Sequence, residues 1–230
     1  MQKSFIAATL AALAVASAAS GAVVLANWTF EVSVPLTAGP FAAEAGANAA
    51  SSFASGFHVS SAAAYSNPSG NGSVESFSSN NWTTGDYYQF TTGTVSYQNI
   101  TIQWDQTGSG TGPRDFGLFY SVDGGSNFIQ LGANYAVLLN GAPNLAWSSG
   151  SSQAVYTFGP AAGPASLNNL ANAIFRLKQM TNIAINPGQT VGTGGTGRVD
   201  NVIISGDLVP TPGAASLVGL GMLVALRRRR

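Results

Sequence analysis

"DFGLFYSVDGGSNFIQLG", residues 115–132, is the stretch of the sequence that decides the fold. Apolar side chains occupy every second position of its first half, namely Phe116, Leu118, Tyr120 and Val122. That period of two is the mark of a β-strand with one buried face. The turn residues Asp123–Gly125 follow, and an Asp-Gly pair between apolar runs is a strong hairpin signal. A second strand through Phe128 and Leu131 completes a predicted antiparallel hairpin.

The same alternation extends along the middle of the chain. In "YQNITIQWDQ" (97–106) three apolar side chains share one face: Ile100, Ile102 and Trp104. Further strand candidates are "NWTFEVSV" (27–34), "GFHVSS" (56–61), "DYYQFTT" (86–92), "AVYTFG" (154–159), "AIFRLKQM" (173–180) and "RVDNVIISG" (198–206). One stretch in the middle, "ASLNNLANA" (165–173), suggests a turn or two of helix. Short strands separated by turn residues favour an all-β fold, and we predict one antiparallel, jelly-roll-like β-sandwich over residues 27–207.

Composition agrees with a folded, turn-rich β-domain. Charged residues make up 8% of the 230-residue chain, against about 25% in a typical soluble domain. Aromatic residues reach 10%, which is enough to build a core and argues against disorder. Cysteine is absent, so neither a disulfide framework nor a thiolate metal site is possible.

The charge of the chain is unevenly distributed. Five of its nine basic residues lie near the ends, at Lys3 and Arg227–Arg230. The region between them keeps four basic residues against nine acids, a net charge of −5. Nucleic-acid binding requires a basic face, so the composition excludes nucleic acid as a partner.

The N-terminus has the layout of a secretory signal. "MQKSFIAATLAALAVASAASGA" (1–22) contains Lys3, an apolar run over 5–15 and then small residues. These are the three regions of a signal peptide, and we predict a signal helix over residues 1–22. Cleavage sites compete after Ala16, Ala18, Ala22 and Ala26. The alternative is an N-terminal helix buried in the fold.

The C-terminus carries an apolar segment that is short for a membrane span. Residues 213–226 are 14 residues without charge, whereas a spanning helix needs about 20. Pro210 and Pro212 interrupt the start of the segment, and Arg227–Arg230 form a stop on the cytoplasmic side. This pattern predicts a short hydrophobic helix that is inserted into the membrane only transiently.

These features together resemble the PEP-CTERM sorting signal, the bacterial tail processed by exosortases. The resemblance rests on residues 209–230, with Val209, Pro210, Thr211 and Pro212 as the motif and with Arg227, Arg228, Arg229 and Arg230 as the basic end. The chain departs from the family at Thr211, where Glu is most common. The resemblance implies export, partnership with the secretion machinery and an exosortase, and a place at the cell envelope, cell surface or outside the cell, among exopolysaccharide. An ordinary tail anchor is the alternative.

A second resemblance concerns the middle of the chain. "SGTGPRDFGLFYSVDGGSNF" (109–128) and "GTGRVDNVIISG" (195–206) are similar to the jelly-roll-type domains of PEP-CTERM proteins of unknown function. This resemblance implies a sandwich and no catalytic activity.

Two classes of function follow: a non-enzymatic surface or matrix protein, and a secreted polysaccharide-active hydrolase. A Ser-His-Asp site would have to use His58, the single histidine, and no nucleophile-elbow motif accompanies it. The acids are scattered, so no pair stands out for glycoside hydrolysis. We therefore predict a non-enzymatic protein.

A structural calcium ion is the one cofactor that the sequence suggests. Oxygen ligands could come from Asp123 with Asn127, or from Asp200 with Asn201. The simpler interpretation gives Asp123 a place in the hairpin turn and Asp200 hydrogen bonds to nearby backbone, and we favour it over a bound ion.

Carbohydrate binding is the functional hypothesis that aromatic residues suggest. Four of them lie in polar, loop-like surroundings where sugar rings could stack: Trp82, Tyr87, Tyr88 and Trp147. The alternative places these rings in the core, as we expect for Trp28 and Trp104.

Overall fold

Fourteen β-strands make up two sheets in residues 21–210, the part of the chain that this computed structural model describes. In chain order they are β1 (Val23–Trp28), β2 (Phe41–Ala42), β3 (Phe53–Phe57), β4 (Tyr65–Ser66), β5 (Phe77–Ser79), β6 (Tyr87–Thr92), β7 (Tyr97–Gly108), β8 (Asp115–Ser121), β9 (Ile129–Gln130), β10 (Tyr135–Ala136), β11 (Leu138–Leu139), β12 (Thr157–Ala162), β13 (Ala173–Gln179) and β14 (Gly197–Leu208). Short 3₁₀ helices occupy Ala49–Ser51, Ala154–Tyr156 and Ala165–Leu167. The last of these lies in the stretch that predicted a helical turn.

The first sheet is organised around its two longest strands. β7 and β14 run antiparallel, with Gly108 opposite Gly197 and Tyr97 opposite Leu208. β1 and β5 pair with β14, β4 pairs with β5, and β11 and β12 pair with β7. The second sheet has the order β10-β8-β13-β6-β3-β2, with β9 also paired to β8. The all-β, two-sheet sandwich is therefore confirmed, although the β11–β7 pair is parallel rather than antiparallel.

The core between the sheets is rich in aromatic side chains. Trp28 of the first sheet packs on Phe90 of the second, with ring centroids 5.3 Å apart. The faces predicted from alternation are buried where they fall within strands, at Phe116, Leu118 and Tyr120 and at Ile100, Ile102 and Trp104. Trp28 and Trp104 lie in the core, as expected. Burying these rings supplies the main driving force for joining the two sheets.

The hairpin predicted from residues 115–132 is present, with two differences. β8 and β9 pair antiparallel, with Phe119 opposite Gln130. The turn uses positive φ angles at Gly124 (72°) and Gly125 (91°), which glycine adopts without steric cost. Val122 is exposed rather than buried, because β8 ends at Ser121 and Val122 already belongs to the turn. The second strand, β9, is only two residues long.

The compact unit of the sandwich covers Ala22–Leu208. β1 begins at Val23, four residues before the predicted domain start, and Leu25 and Ala26 are fully buried. A signal-peptide cut after Ala26 would therefore remove the first four residues of β1. The predicted signal and tail helices lie outside the described residues.

Within residues 21–210, no helix has the length and apolar character that a membrane span requires.

Candidate functional site

The outer face of the second sheet carries aromatic side chains because one of its strands places small residues inside. In β3, Ala54 and Gly56 point toward the core, and Phe53 and Phe57 point outward with 43% and 46% of their surface exposed. A Cβ atom on Gly56 would lie 2.7 Å from Cε1 of Tyr65 and 3.2 Å from Cζ of Phe77. The facing sheet thus leaves no room for a side chain at 56.

The register of the sheet aligns these outward residues across neighbouring strands. Phe57 of β3 lies opposite Tyr87 of β6, and Tyr87 lies opposite Lys178 of β13. Two residues further along each strand, on the same face of the sheet, Gln89 of β6 lies opposite Arg176 of β13. Since residues directly opposite each other on one face are within side-chain contact, aromatic and basic groups meet here.

Four of these side chains form what we call the aromatic–guanidinium row: Phe57, Tyr87, Arg176 and Phe128. The rings of Phe57 and Tyr87 are stacked, with centroids 5.0 Å apart and planes inclined by 15°. Cζ of Arg176 lies 3.9 Å from the Tyr87 ring centroid and 3.6 Å from that of Phe128. Cation–π contacts of this kind contribute about 0.5–2 kcal/mol each. The row is therefore held together as a unit.

Arg176 is fixed from a third direction by Gln89. Nε of Arg176 donates a hydrogen bond of 2.8 Å to Oε1 of Gln89. Partial burial lowers the pKa of the Arg176 guanidinium, and the neighbouring Tyr87 opposes that change. A guanidinium stays protonated in proteins, so the row carries a positive charge.

A second cation lies beside the row. Nζ of Lys178 is 5.1 Å from the ring centroid of Phe119, which also faces outward. The ring of Phe119 occupies space that a side chain at position 117 would fill. A Cβ atom on Gly117 would lie 2.9 Å from Cε2 of Phe119. Within residues 21–210, neither Arg176 nor Lys178 has a carboxylate oxygen within 4.0 Å. The face therefore presents two cations that no acid neutralises.

Three of the four aromatic residues proposed for glycan stacking do not lie on the surface. Trp82, Tyr88 and Trp147 are 5%, 0% and 5% exposed. The indole N–H of Trp82 donates to the Ser79 carbonyl at 2.9 Å, and Trp147 packs edge-on against Tyr156. The expectation that these rings are exposed is wrong, because their polar neighbours in sequence do not determine their burial.

Tyr87 is the one member of that group on the outer face, and its partners in the row were not expected from the sequence. The alternation in "AIFRLKQM" (173–180) could have indicated that Arg176 faces outward together with Lys178. Phe175 and Leu177 are buried, so Arg176 and Lys178 must share the opposite face of β13.

The structure also brings together an Asp-His-Ser arrangement around the single histidine. Nδ1 of His58 lies 2.9 Å from Oδ2 of Asp86, and Nε2 lies 2.9 Å from Oγ of Ser79. Ser79 Oγ is in turn 2.8 Å from the hydroxyl of Tyr88. The side chains of His58 and Asp86 are 2% and 0% exposed, and burial lowers the pKa of His58 while Asp86 raises it. Without access to solvent, this network is a polar part of the core rather than a site for attack on a substrate.

The residues considered for calcium are engaged by hydrogen-bond donors. Asp123 accepts hydrogen bonds from the backbone N–H and the side-chain amide of Asn127, at 2.9 and 2.7 Å, and from the Ser121 hydroxyl. These donors lower the pKa of Asp123 to about 2. Asp123 thus orders the hairpin turn, which is the simpler of the two interpretations. In the described part of the chain, no three His, Asp or Glu side chains converge as a metal site.

Asp200 belongs to a different, buried cluster in the first sheet. It lies opposite Asp105 in the β7–β14 register, and both are buried. Its carboxylate accepts hydrogen bonds from the N–H groups of Asn71 and Asn201, both 2.8 Å, and from the Ser73 hydroxyl at 2.6 Å. Burial, with a contribution from the charge of Asp105, raises the pKa of Asp200 to about 7. This is a buried carboxylate pair, and the oxygens of Asp200 already accept hydrogen bonds from Asn71, Ser73 and Asn201.

No family model matches this chain, and no curated protein matches it either. The resemblance of residues 209–230 to the PEP-CTERM signal therefore stays a prediction.

Solved structures with a similar arrangement of strands include bacterial adhesin domains. The K2 cleaved adhesin domain of Lys-gingipain is 13% identical, with a TM-score of 0.43 over 80% of this chain and 97% of that one. The K1 cleaved adhesin domain of Lys-gingipain from Porphyromonas gingivalis W83 is 13% identical, with a TM-score of 0.41 over 66% and 89%. TmCBM61, solved with β-1,4-galactotriose, is 10% identical, with a TM-score of 0.34 over 66% and 86%. Similarities of this size do not transfer a ligand or an activity to this chain.

Proposed function

We propose that this chain is an exported, non-enzymatic protein of the bacterial cell surface or extracellular matrix, whose sandwich binds glycans on the outer face of its second sheet. The aromatic–guanidinium row is the observation that carries this proposal. Nearly half of the surface of Phe57 is exposed to solvent, whereas most aromatic rings of the domain are buried in the core. An exposed apolar patch that is surrounded by polar residues is typical of a binding surface. A flat ring face suits the C–H face of a sugar, and neighbouring Gln89, Arg176 and Lys178 supply donors for its hydroxyl groups.

Export and sorting are proposed from the two ends of the sequence. Residues 1–22 have the layout of a signal peptide, and residues 209–230 resemble the exosortase-processed tail. β14 ends at Leu208, and Val209 directly after it is 41% exposed. A protease could therefore reach the chain close to the proposed cleavage region at Pro210–Pro212 without unfolding β14.

The alternative, a secreted polysaccharide hydrolase, needs an accessible pair of carboxyl groups. Asp105 and Asp200, which lie opposite each other in the β7–β14 register, are both buried. We therefore favour a binding function over hydrolysis.

Binding of the mature protein to a panel of polysaccharides would test the proposal. The substitution Phe57→Ala should weaken retention on a bound polysaccharide, because it removes the exposed ring of the row. Leu145→Ala is a matched control, since Leu145 is 70% exposed and lies outside the second sheet. If the unmodified protein binds no glycan, or if Phe57→Ala and Leu145→Ala weaken binding equally, the outer face is not the binding site. Turnover of a polysaccharide that is abolished by Asp105→Asn would instead favour the hydrolase.

A further inference from the structure

We propose that Arg176 and Lys178 form an anion-binding site, and that the glycan recognised by the outer face is an acidic polysaccharide carrying carboxylate or sulfate groups. This inference rests on the proposed glycan-binding function and adds the chemical class of the ligand.

The guanidinium of Arg176 is held in place before any ligand arrives. Tyr87 and Phe128 contact it at 3.9 and 3.6 Å, and Gln89 accepts the hydrogen bond from its Nε. Among residues 21–210, no protein acceptor bonds to its Nη1 or Nη2. Two parallel N–H donors on a planar guanidinium match the two oxygens of a carboxylate or sulfate. Because the side chain is already ordered, little conformational entropy remains to be lost on binding.

The hairpin that decides the fold also builds this site. Phe128 follows the turn at Asp123–Gly125, and the hairpin brings its ring over Arg176. The same turn lies against β13, where a Cβ on Gly125 would be 3.4 Å from Cδ1 of Ile174. One side of the guanidinium is thus covered by a loop and another by β6.

Lys178 extends the cationic character along β13. Two residues on one strand face are about 6.6 Å apart, so both cations can contact one acidic chain. The outward positions of β3, β6 and β13 include no acid: Phe53, Ser55, Phe57, Tyr87, Gln89, Thr91, Ile174, Arg176 and Lys178. The outward acid of β8, Asp115, is already paired with Arg114 at 2.7 Å.

The charge of the rest of the domain favours this face for an anion. The region between the termini has a net charge of −5, yet two of its four basic residues lie side by side here. An acidic polymer is therefore repelled by most of the surface and attracted to one place on it. The stacked rings of Phe57 and Tyr87 next to the cations provide a surface for the sugar rings that carry the charge.

The test is titration of the mature protein with three soluble polymers: polygalacturonate, which carries carboxylates, dextran sulfate, and uncharged dextran. We expect at least one acidic polymer to bind and dextran to bind at least tenfold more weakly. Binding should weaken steeply with added salt, because exposed charges are screened. The two acidic polymers separate carboxylate from sulfate recognition.

Arg176→Gln should weaken acidic-polymer binding about tenfold or more, as expected when charge-assisted hydrogen bonds are lost. The double substitution Arg114→Gln, Asp115→Asn is the control, because it removes a cation together with the acid that already compensates it. Should Arg176→Gln fail to fold, Lys178→Gln and the salt dependence of the unmodified protein decide the question. Equal binding of acidic and neutral polymers, independent of salt, would overturn the inference and leave glycan binding intact. Binding of no polymer in this test or in the wider panel would overturn both.

Discussion

The buried carboxyl of Asp200 predicts a measurable dependence of stability on pH. Its pKa is raised from the usual 3.8 to about 7, mainly by burial. A group with a raised acidic pKa binds its proton more tightly in the folded state than in the unfolded state. Folding stability therefore falls as the pH rises from 3.8 toward 7, and it is lowest above 7.

The size of the effect follows from that shift. About three pKa units correspond to a total of about 4 kcal/mol, at 1.36 kcal/mol per unit. Part of this is already lost at pH 5, so about 2–3 kcal/mol remains between pH 5 and pH 8. That is a large share of the 5–15 kcal/mol that usually separates folded from unfolded proteins.

Urea denaturation of the mature protein at pH 5 and pH 8, with and without Asp200→Asn, measures this contribution. Compared with the protonated carboxyl, the amide should cost about 1 kcal/mol, because its NH2 group faces hydrogen-bond donors instead of accepting from them. The substitution should therefore be about 2–3 kcal/mol less unfavourable at pH 8 than at pH 5. The amide cannot lose a proton, so the stability difference between pH 5 and pH 8 should shrink by about 2–3 kcal/mol. His58 titrates identically in both proteins and cancels in the comparison. The same pH dependence in both would show that Asp200 is ionised in the folded protein throughout this range.

Three further predictions concern packing, the hairpin and the tail. Gly56→Ala should destabilise the domain by about 1–3 kcal/mol through overpacking against Tyr65, with outward Ser55→Ala as the control in the same denaturation assay. Asp123→Asn should lower the melting temperature at pH 7 and much less at pH 2, because the low folded pKa of about 2 gives stability that is lost as the pH falls through that value; an equal loss at both pH values would contradict this. Mass spectrometry of the protein from its native host should show a C-terminus near Pro210–Pro212, and deletion of Arg227–Arg230 should leave the tail uncut; an intact arginine block on the mature protein would instead indicate a plain anchor.

Features set by local chemistry could be predicted from the sequence. The hairpin at 115–132 is an example, because its turn depends on glycines that accept positive φ and on Asp123. The end of β8 was misplaced by one residue, because the hydroxyl of Ser121 accepts the N–H of Gly125 and draws Val122 into the turn.

A side chain distant in sequence ended another predicted strand early. "NWTFEVSV" (27–34) alternates like a strand, but β1 stops at Trp28. The carboxylate of Glu44 accepts the backbone N–H groups of Val32 and Ser33, at 2.9 and 3.0 Å. Those N–H groups are therefore bound to a side chain rather than to a neighbouring strand, and no local pattern indicates this.

Most of the candidate site could not be predicted from the sequence for a related reason, since burial depends on residues that are distant in the chain. Period-two alternation in "FASGF" (53–57) divides the residues into two faces but does not say which is inside. Tyr65 and Phe77, which fill the space beside Gly56, decide that the phenylalanines point outward. The burial of Trp82 and Tyr88 likewise depends on partners across the sandwich, such as Phe116 and Phe77.

The position of β14 has a consequence for when the domain can fold. β14 pairs with β1, β5 and β7, so Val23 lies opposite Gly206 and the two ends of the domain meet in one sheet. Such a high contact order slows folding, because distant segments must find each other before their pairing stabilises the chain. In a chain exported from its N-terminus, the first sheet stays incomplete until residues 197–208 have crossed the membrane. If the chain is exported as proposed, this topology delays completion of the first sheet until only residues 209–230 remain to be translocated.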